Sequence, residues 1–260
     1  MNPTRWLWRS IAAVSVLGTV LLAAGFAYAI KTVVAPSGSI APPERPAAAS
    51  PLAGEASVEI VALGDSLTVG YGDDTGKGYV RGLQERLKAR TAAEAHVVAN
   101  FARNGYTAEE VLADVREREG VRQAIRLADV VVLTAGGNDL MSVMEDEVDP
   151  EAFVSRIPRT EEALVGILAA IRELNPEAHV YYVGLYNPFL EWTAVEGTTE
   201  AVASWNDAAF RAVAPDPRAT FVPTFDLFEA DPKRFLSADG YHPNAEGYAR
   251  IADRLAKLME

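Results

Sequence analysis

A serine stands where a buried strand should end. Ile60-Val61-Ala62-Leu63 has the length and branched-aliphatic content of such a strand, and it stops at Gly64-Asp65-Ser66. Gly70-Tyr71-Gly72 comes soon after. A serine hydroxyl is a weak nucleophile until a base takes its proton and donors meet the developing oxyanion. The base is offered far along the chain. His242 lies in Asp239-Gly240-Tyr241-His242-Pro243-Asn244, with Asp239 three residues before it. So short a tether lets one tight turn set the carboxylate behind the imidazole, fixing its tautomer and stabilising the imidazolium. The same loop also reads as an Asx turn capping the last helix, with His242 merely exposed. Beside Ser66, the acid–base pairing is the stronger reading. His96 and His179 each open an expected strand and read as surface or edge residues.

Acyl transfer also needs donors aimed at an oxyanion. The backbone N–H groups of Ser66 and Gly105 are candidates, glycine allowing the chain to approach closely. Asn138, behind Gly136-Gly137 and after the apolar run 130–133, offers a side-chain amide. Alone it would be an ordinary turn residue. Phe189, Leu190 and Trp192 come after the expected fourth strand and are candidates to line an acyl pocket. The alternative is an apolar loop packed on the domain. Two competing functions are a metal phosphoesterase using Asp65, Asp239 and His242, and an inactive surface module that only binds its ligand.

The elements that must position these residues alternate. Strands are expected at 58–63, 96–100, 130–133, 180–184 and 220–222. Helices are expected at 79–89, 107–118 (with Thr107 as its cap), 121–127, 150–174, 200–213 and 244–259. Asn175-Pro176 stops the longest. Strands alternating with helices imply a parallel sheet covered on both faces, with its functional loops opening along one edge. The polar clusters at 64–66, 104–105 and 137–139 all fall in such loops.

Four blocks now stand in order: Gly64-Asp65-Ser66-Leu67, Asn104-Gly105, Gly136-Gly137-Asn138-Asp139 and Asp239-Gly240-Tyr241-His242-Pro243. They resemble the signature blocks of the SGNH (GDSL) hydrolases, and span most of residues 58–260. The larger α/β hydrolases differ, carrying their nucleophile in Gly-x-Ser-x-Gly. The resemblance implies a three-layer α/β/α sandwich with a five-stranded parallel sheet and no metal or organic cofactor. It implies Ser66 as nucleophile, His242 as general base and acid, and Asp239 as orienting carboxylate. Ser66 N–H, Gly105 N–H and the Asn138 amide form the implied oxyanion hole. Asp65 is left a turn-stabilising role. The implied activity is hydrolysis of lipid or short-chain esters, the family also containing enzymes that deacetylate carbohydrates.

The ends and the charge bound the rest. Residues 10–30 carry no charge, lie after Arg5 and Arg9, and are long enough to span a bilayer. They read as a signal anchor within 1–34. A cleaved signal peptide is the alternative, Ala27-Tyr28-Ala29 having the form of a processing site. Either exports the rest of the chain, and the anchor makes the membrane a partner. Residues 35–56, with five prolines among Ala, Ser and Gly, read as an extended spacer before a hydrolase domain at 57–260. The net charge is −12, and the domain alone carries −14, because the first 56 residues carry four basic and two acidic side chains and sum to +2. So acidic a domain repels phosphate backbones and argues against nucleic acid as a partner. Without cysteine, thiolate catalysis, disulfides and thiolate metal sites are excluded.

Overall fold

The computed structural model describes residues 15–23, 56–91, 94–141, 149–190 and 196–260. Residues 15–23 are helical, and no helix among the described residues is long and apolar enough to cross a membrane. The remainder of the expected anchor, and the expected spacer up to residue 55, lie outside the described residues.

The C-terminal unit is built on five strands: β1 (Ser57–Leu63), β2 (Glu94–Asn100), β3 (Val130–Leu133), β4 (His179–Val183) and β5 (Ala219–Val222). They form one parallel sheet in the order β2-β1-β3-β4-β5. Its strands alternate their side chains between two apolar layers, as period-two geometry requires. Val61, Leu63, Val131, Leu133, Val180 and Tyr182 enter one layer. Ile60, Ala62, Val130, Val132, Tyr181 and Val183 enter the other. The buried runs 60–63, 130–133 and 180–183 of the central strands are therefore apolar on both faces, since neither face there is turned to water.

Helices cover both faces. On the first lie α3 (Ala108–Glu117), α4 (Glu119–Leu127), α6 (Pro150–Leu174) and α7 (Thr198–Val213), contributing Val111, Ile125, Leu164, Ile171 and Trp205. On the second, α2 (Gly78–Arg90) and α10 (Ala245–Met259) contribute Tyr79, Leu83, Leu87, Ile251 and Leu255. Local signals explain the ends. Thr107 and Glu110 form a capping box at α3. Asp149 accepts from Glu151 and Ala152 N–H ahead of Pro150, and starts α6. Asn175 ends α6 by donating to the carbonyls of Ile125 and Ala128.

Four short helices carry no expectation from sequence: α1 (Ser66–Val69), α5 (Gly137–Met141), α8 (Phe225–Glu229) and α9 (Pro232–Phe235). Each is one turn or little more, too short to repeat an apolar face. Two of them carry the site. In a sheet of this order the connections leave β1 and β3 in opposite directions, opening a crevice at the carboxyl ends of those strands. α1 comes directly after β1, and α5 after β3.

Gly64 makes the first of those turns possible. Its φ of +137° suits glycine, and a Cβ there would lie 2.1 Å from Thr134 Oγ1 and 2.6 Å from the Thr134 carbonyl oxygen. Backbone cannot move aside as a side-chain tip can. Gly64→Ala is expected to cost about 3 kcal/mol, lowering the melting midpoint by roughly 6–12 °C in calorimetry. An unchanged midpoint would mean that β1 and β3 separate freely here.

Candidate active site

Ser66 opens α1, and Asp65 caps that helix by accepting from the Leu67 N–H at 3.0 Å. Asp65 is buried. Its own N–H donates to Thr134 Oγ1, and the Thr134 hydroxyl donates back to Asp65 Oδ1 at 2.9 Å. Thr134 has then spent its only proton, so Thr68 must donate to it at 2.8 Å. Tyr79 in turn donates to Thr68 at 2.6 Å. One directed chain of hydroxyls thus ends on the Asp65 carboxylate and ties the nucleophile turn to the end of β3. Burial raises the Asp65 pKa, and the bonds from Thr134 and Leu67 oppose it. The residue stabilises the turn.

The His242 loop closes on itself. Leu236 pairs with Pro243 in an antiparallel bridge, the Ser237 N–H donates to the His242 carbonyl at 2.7 Å, and Gly240 turns the chain at φ +67°. Inside the loop, Asp239 Oδ1 accepts from Ser237 Oγ, Tyr241 N–H and His242 N–H at 2.7, 2.8 and 2.9 Å. Asp239 Oδ2 lies 2.7 Å from His242 Nδ1. Burial pushes the Asp239 carboxyl up, but the bonds from His242, Tyr241 and Ser237 outweigh it and hold the pKa at about 2. An ionised carboxylate only accepts, so Nδ1 carries the proton and Nε2 is left as acceptor. Nε2 stands 2.9 Å from Ser66 Oγ, within reach of the serine proton. Asn244 caps α10, accepting from Glu246 and Gly247 N–H. Asp239 is therefore free of capping duty and serves the imidazole.

Asn138 lies in the first turn of α5 and lines a cavity with Ser66 and His242. Its Nδ2 donates to the Tyr106 carbonyl at 2.8 Å, which orients the amide and leaves it a second hydrogen. Gly105, at φ +80°, lines a neighbouring groove with Asn138. The N–H groups of Ser66 and Gly105 have no protein acceptor among the described residues. Asp139 accepts from the Ala108 N–H at 2.8 Å, docking α5 onto the start of α3.

The cavity beside Ser66 is mostly apolar, lined by Leu67, Met141, Leu185, Tyr186, Pro188 and Tyr241 among others. Phe189 is buried behind this wall with its ring 6.3 Å from that of Tyr241, and Leu190 is half-buried. Trp192 lies outside the described residues. His96 is half-buried and 3.4 Å from Glu94, and His179 is beside Arg218, both away from the crevice. No three His, Asp or Glu side chains are placed to hold a metal ion among the described residues.

Sequence reading gives Thr134, Tyr71 and Tyr186 no role. Thr134 carries a faint signal, as the polar residue that ends an otherwise apolar strand. The glycines around Tyr71 are the signal there.

The model of the GDSL-like lipase/acylhydrolase family matches residues 62–250, which include all four blocks. The chain belongs to that family. Membership makes it a serine ester hydrolase of the lipase and esterase kind. It is 34% identical to YpmR of Bacillus subtilis, over 78% of this chain and 82% of the relative. It is 28% identical to the spore germination lipase LipC of Bacillus licheniformis, over 76% and 95% of the two chains. The crystal structure of the lipase Lip_vut3 from a goat rumen metagenome superposes with a TM-score of 0.69 at 27% identity, covering 78% of this chain and all of that one. The GDSL hydrolase fold therefore accounts for the sheet order and for the crevice in which Ser66 lies.

Proposed function

We propose that this GDSL hydrolase cleaves esters of short acyl groups through an acyl-enzyme on Ser66. The hydrogen-bonded series Ser66–His242–Asp239, at 2.9 and 2.7 Å, is the observation that carries the reading. His242 Nε2 takes the Ser66 proton as Oγ attacks the carbonyl carbon. The oxyanion is met by the Ser66 N–H, the Gly105 N–H and the Asn138 amide. As the carbonyl re-forms, His242 gives its proton to the departing alcohol, leaving an ester on Ser66. Water then attacks that ester, again through His242, and releases the acid.

The space beside Ser66 supports the short-acyl reading. The apolar cavity has a volume of about 40 Å³. A single water needs on the order of 10–15 Å³ by that measure, so the cavity holds roughly three such units, near the size of an acetyl or propionyl group. The same observation favours a second reading, an O-acetylesterase acting on carbohydrate. The uncharged stretch at 10–30 and the proline-rich 35–56 support an exported hydrolase domain, residues 57–260, tethered at the membrane.

A series of p-nitrophenyl esters run beside an acetylated oligosaccharide tests the assignment. We expect the highest kcat/KM at about two to four acyl carbons. A serine-directed phosphonate should block turnover and label Ser66, while a chelator should leave the rate unchanged. An optimum at eight or more carbons would overturn the short-acyl assignment. A protein unlabelled at Ser66 would instead be a binding module.

A further inference from the structure

Two hydrogen bonds fix the His242 ring along one line, from Asp239 through Nδ1 and Nε2 to Ser66. They do not fix its tilt about that line. Two tyrosines flank it. The Tyr71 ring centroid lies 4.7 Å from that of His242 at 58°, and the Tyr241 centroid lies 4.9 Å away at 74°. Both centroid distances are within the roughly 6 Å at which a cation over a ring face is attracted.

Each tyrosine is itself held. The Tyr248 hydroxyl, from α10, donates to the Tyr71 carbonyl at 2.7 Å. The Tyr186 hydroxyl, from the loop after β4, donates to the Tyr241 carbonyl at 2.7 Å. Gly72 brings the Tyr71 segment flush against the histidine loop. A Cβ there would meet the Pro243 carbonyl oxygen at 2.8 Å and His242 Cβ at 3.0 Å, and φ is +89°. The glycines around Tyr71 thus serve a close approach between segments more than 160 residues apart in the chain.

A ring packed only for stability would be expected to be buried. Tyr71 is 51% exposed, yet it lies against the imidazole, whose side chain is only 17% exposed. We propose that Tyr71 is a positioning residue: with Tyr241 it holds the His242 ring in line between Ser66 and Asp239 and shelters the positive charge that forms there. Among the described residues, the acidic groups that act on the imidazole are Asp239 on its own loop and Asp65 beneath the nucleophile turn. The Asp239 carboxylate is the anion in contact with the imidazole, and the two tyrosine rings add to it without a charge of their own. The proposal rests on His242 being the base that serves Ser66.

Tyr71→Leu and Tyr71→Phe separate a ring from bulk. We expect Tyr71→Leu to lower kcat about five-fold with KM little changed. Its loss of cation stabilisation should move the acidic limb of the pH–kcat/KM profile to lower pH by about half a unit. Tyr71→Phe keeps the ring and should behave as the parent protein does. A direct measurement stands beside the kinetics: the His242 imidazole followed by NMR titration in Ser66→Ala, with and without Tyr71→Leu. The same downward shift is expected there, even should Tyr71→Leu be too slow to assay. An unmoved titration would overturn the proposal, as would Tyr71→Phe behaving like Tyr71→Leu. Hydrolysis surviving Ser66→Ala would instead overturn the nucleophile assignment, which keeps the two failures distinct.

Discussion

Ser66→Ala is expected to reduce turnover of p-nitrophenyl acetate by about 10⁶-fold while leaving the fold intact. The size of the loss comes from what remains. Without Oγ there is no acyl-enzyme, and His242 has no serine proton to accept; residual catalysis is limited to oxyanion donors acting on water. The preserved fold comes from what the side chain does. Its hydrogen bond is to His242 Nε2, whereas its backbone carbonyl, which accepts from Gly70 and Tyr71 N–H, is untouched. Ser66 is only partly buried, and removing one oxygen opens no cavity of consequence. The melting midpoint should therefore stay within about 2 °C of the parent. Active-site titration of the parent protein guards the comparison against a trace of contaminating esterase. Substantial turnover by a folded Ser66→Ala protein would remove the serine mechanism for this chain and return attention to the competing metal-dependent reading.

The parts of this site legible in sequence are those that are local. Asp239 and His242 stand three residues apart in one loop, so their pairing comes from one turn and needs no knowledge of the fold. The parallel sheet is legible because apolar runs such as Val130–Leu133 alternate with helical patterns. Its strand order is not. Nothing in the run Val58–Leu63 says that β2 and β3 flank it on opposite sides, yet that arrangement opens the crevice. The short helices α1 and α5 escape because four or five residues cannot display a helical period. Contacts between distant segments are hidden for a related reason. Tyr71 meets His242, and Thr134 meets Asp65, through side-chain geometry that a linear pattern does not encode. The family blocks supply what local physics cannot, namely that Asn138 lines one cavity with Ser66.

Asp239→Asn is expected to lower kcat by about 10⁴-fold with only a modest loss of stability, and the loop geometry explains why both hold. Asp239 Oδ1 receives three donors, from Ser237 Oγ, Tyr241 N–H and His242 N–H. An asparagine has one acceptor oxygen, and keeping the loop closed requires that oxygen to stay where the three donors converge. Its NH₂ group must then face His242 Nδ1, where Oδ2 now stands 2.7 Å away. A donor opposite Nδ1 forces the other tautomer, with the proton on Nε2. That nitrogen can no longer accept from Ser66 Oγ. The loop survives and the base is lost. Asp239→Ala would differ, since it also removes the acceptor of all three loop bonds and should lower the melting midpoint. The pH dependence carries a second check. With its pKa lowered to about 2 from the ordinary 3.8, the Asp239 carboxylate contributes stability that is full above about pH 4 and is lost as pH falls through about 2. Across the working range it stays ionised, so its own titration does not shape the acidic limb of the parent rate profile. In Asp239→Asn that limb should move to lower pH, because the imidazolium has lost its adjoining anion. Measured kcat, the acidic limb and the melting curve must change in that combination: large, downward and only slightly. A variant that lost stability in proportion to its rate would mean that Asp239 acts by holding the loop rather than by setting the tautomer of His242.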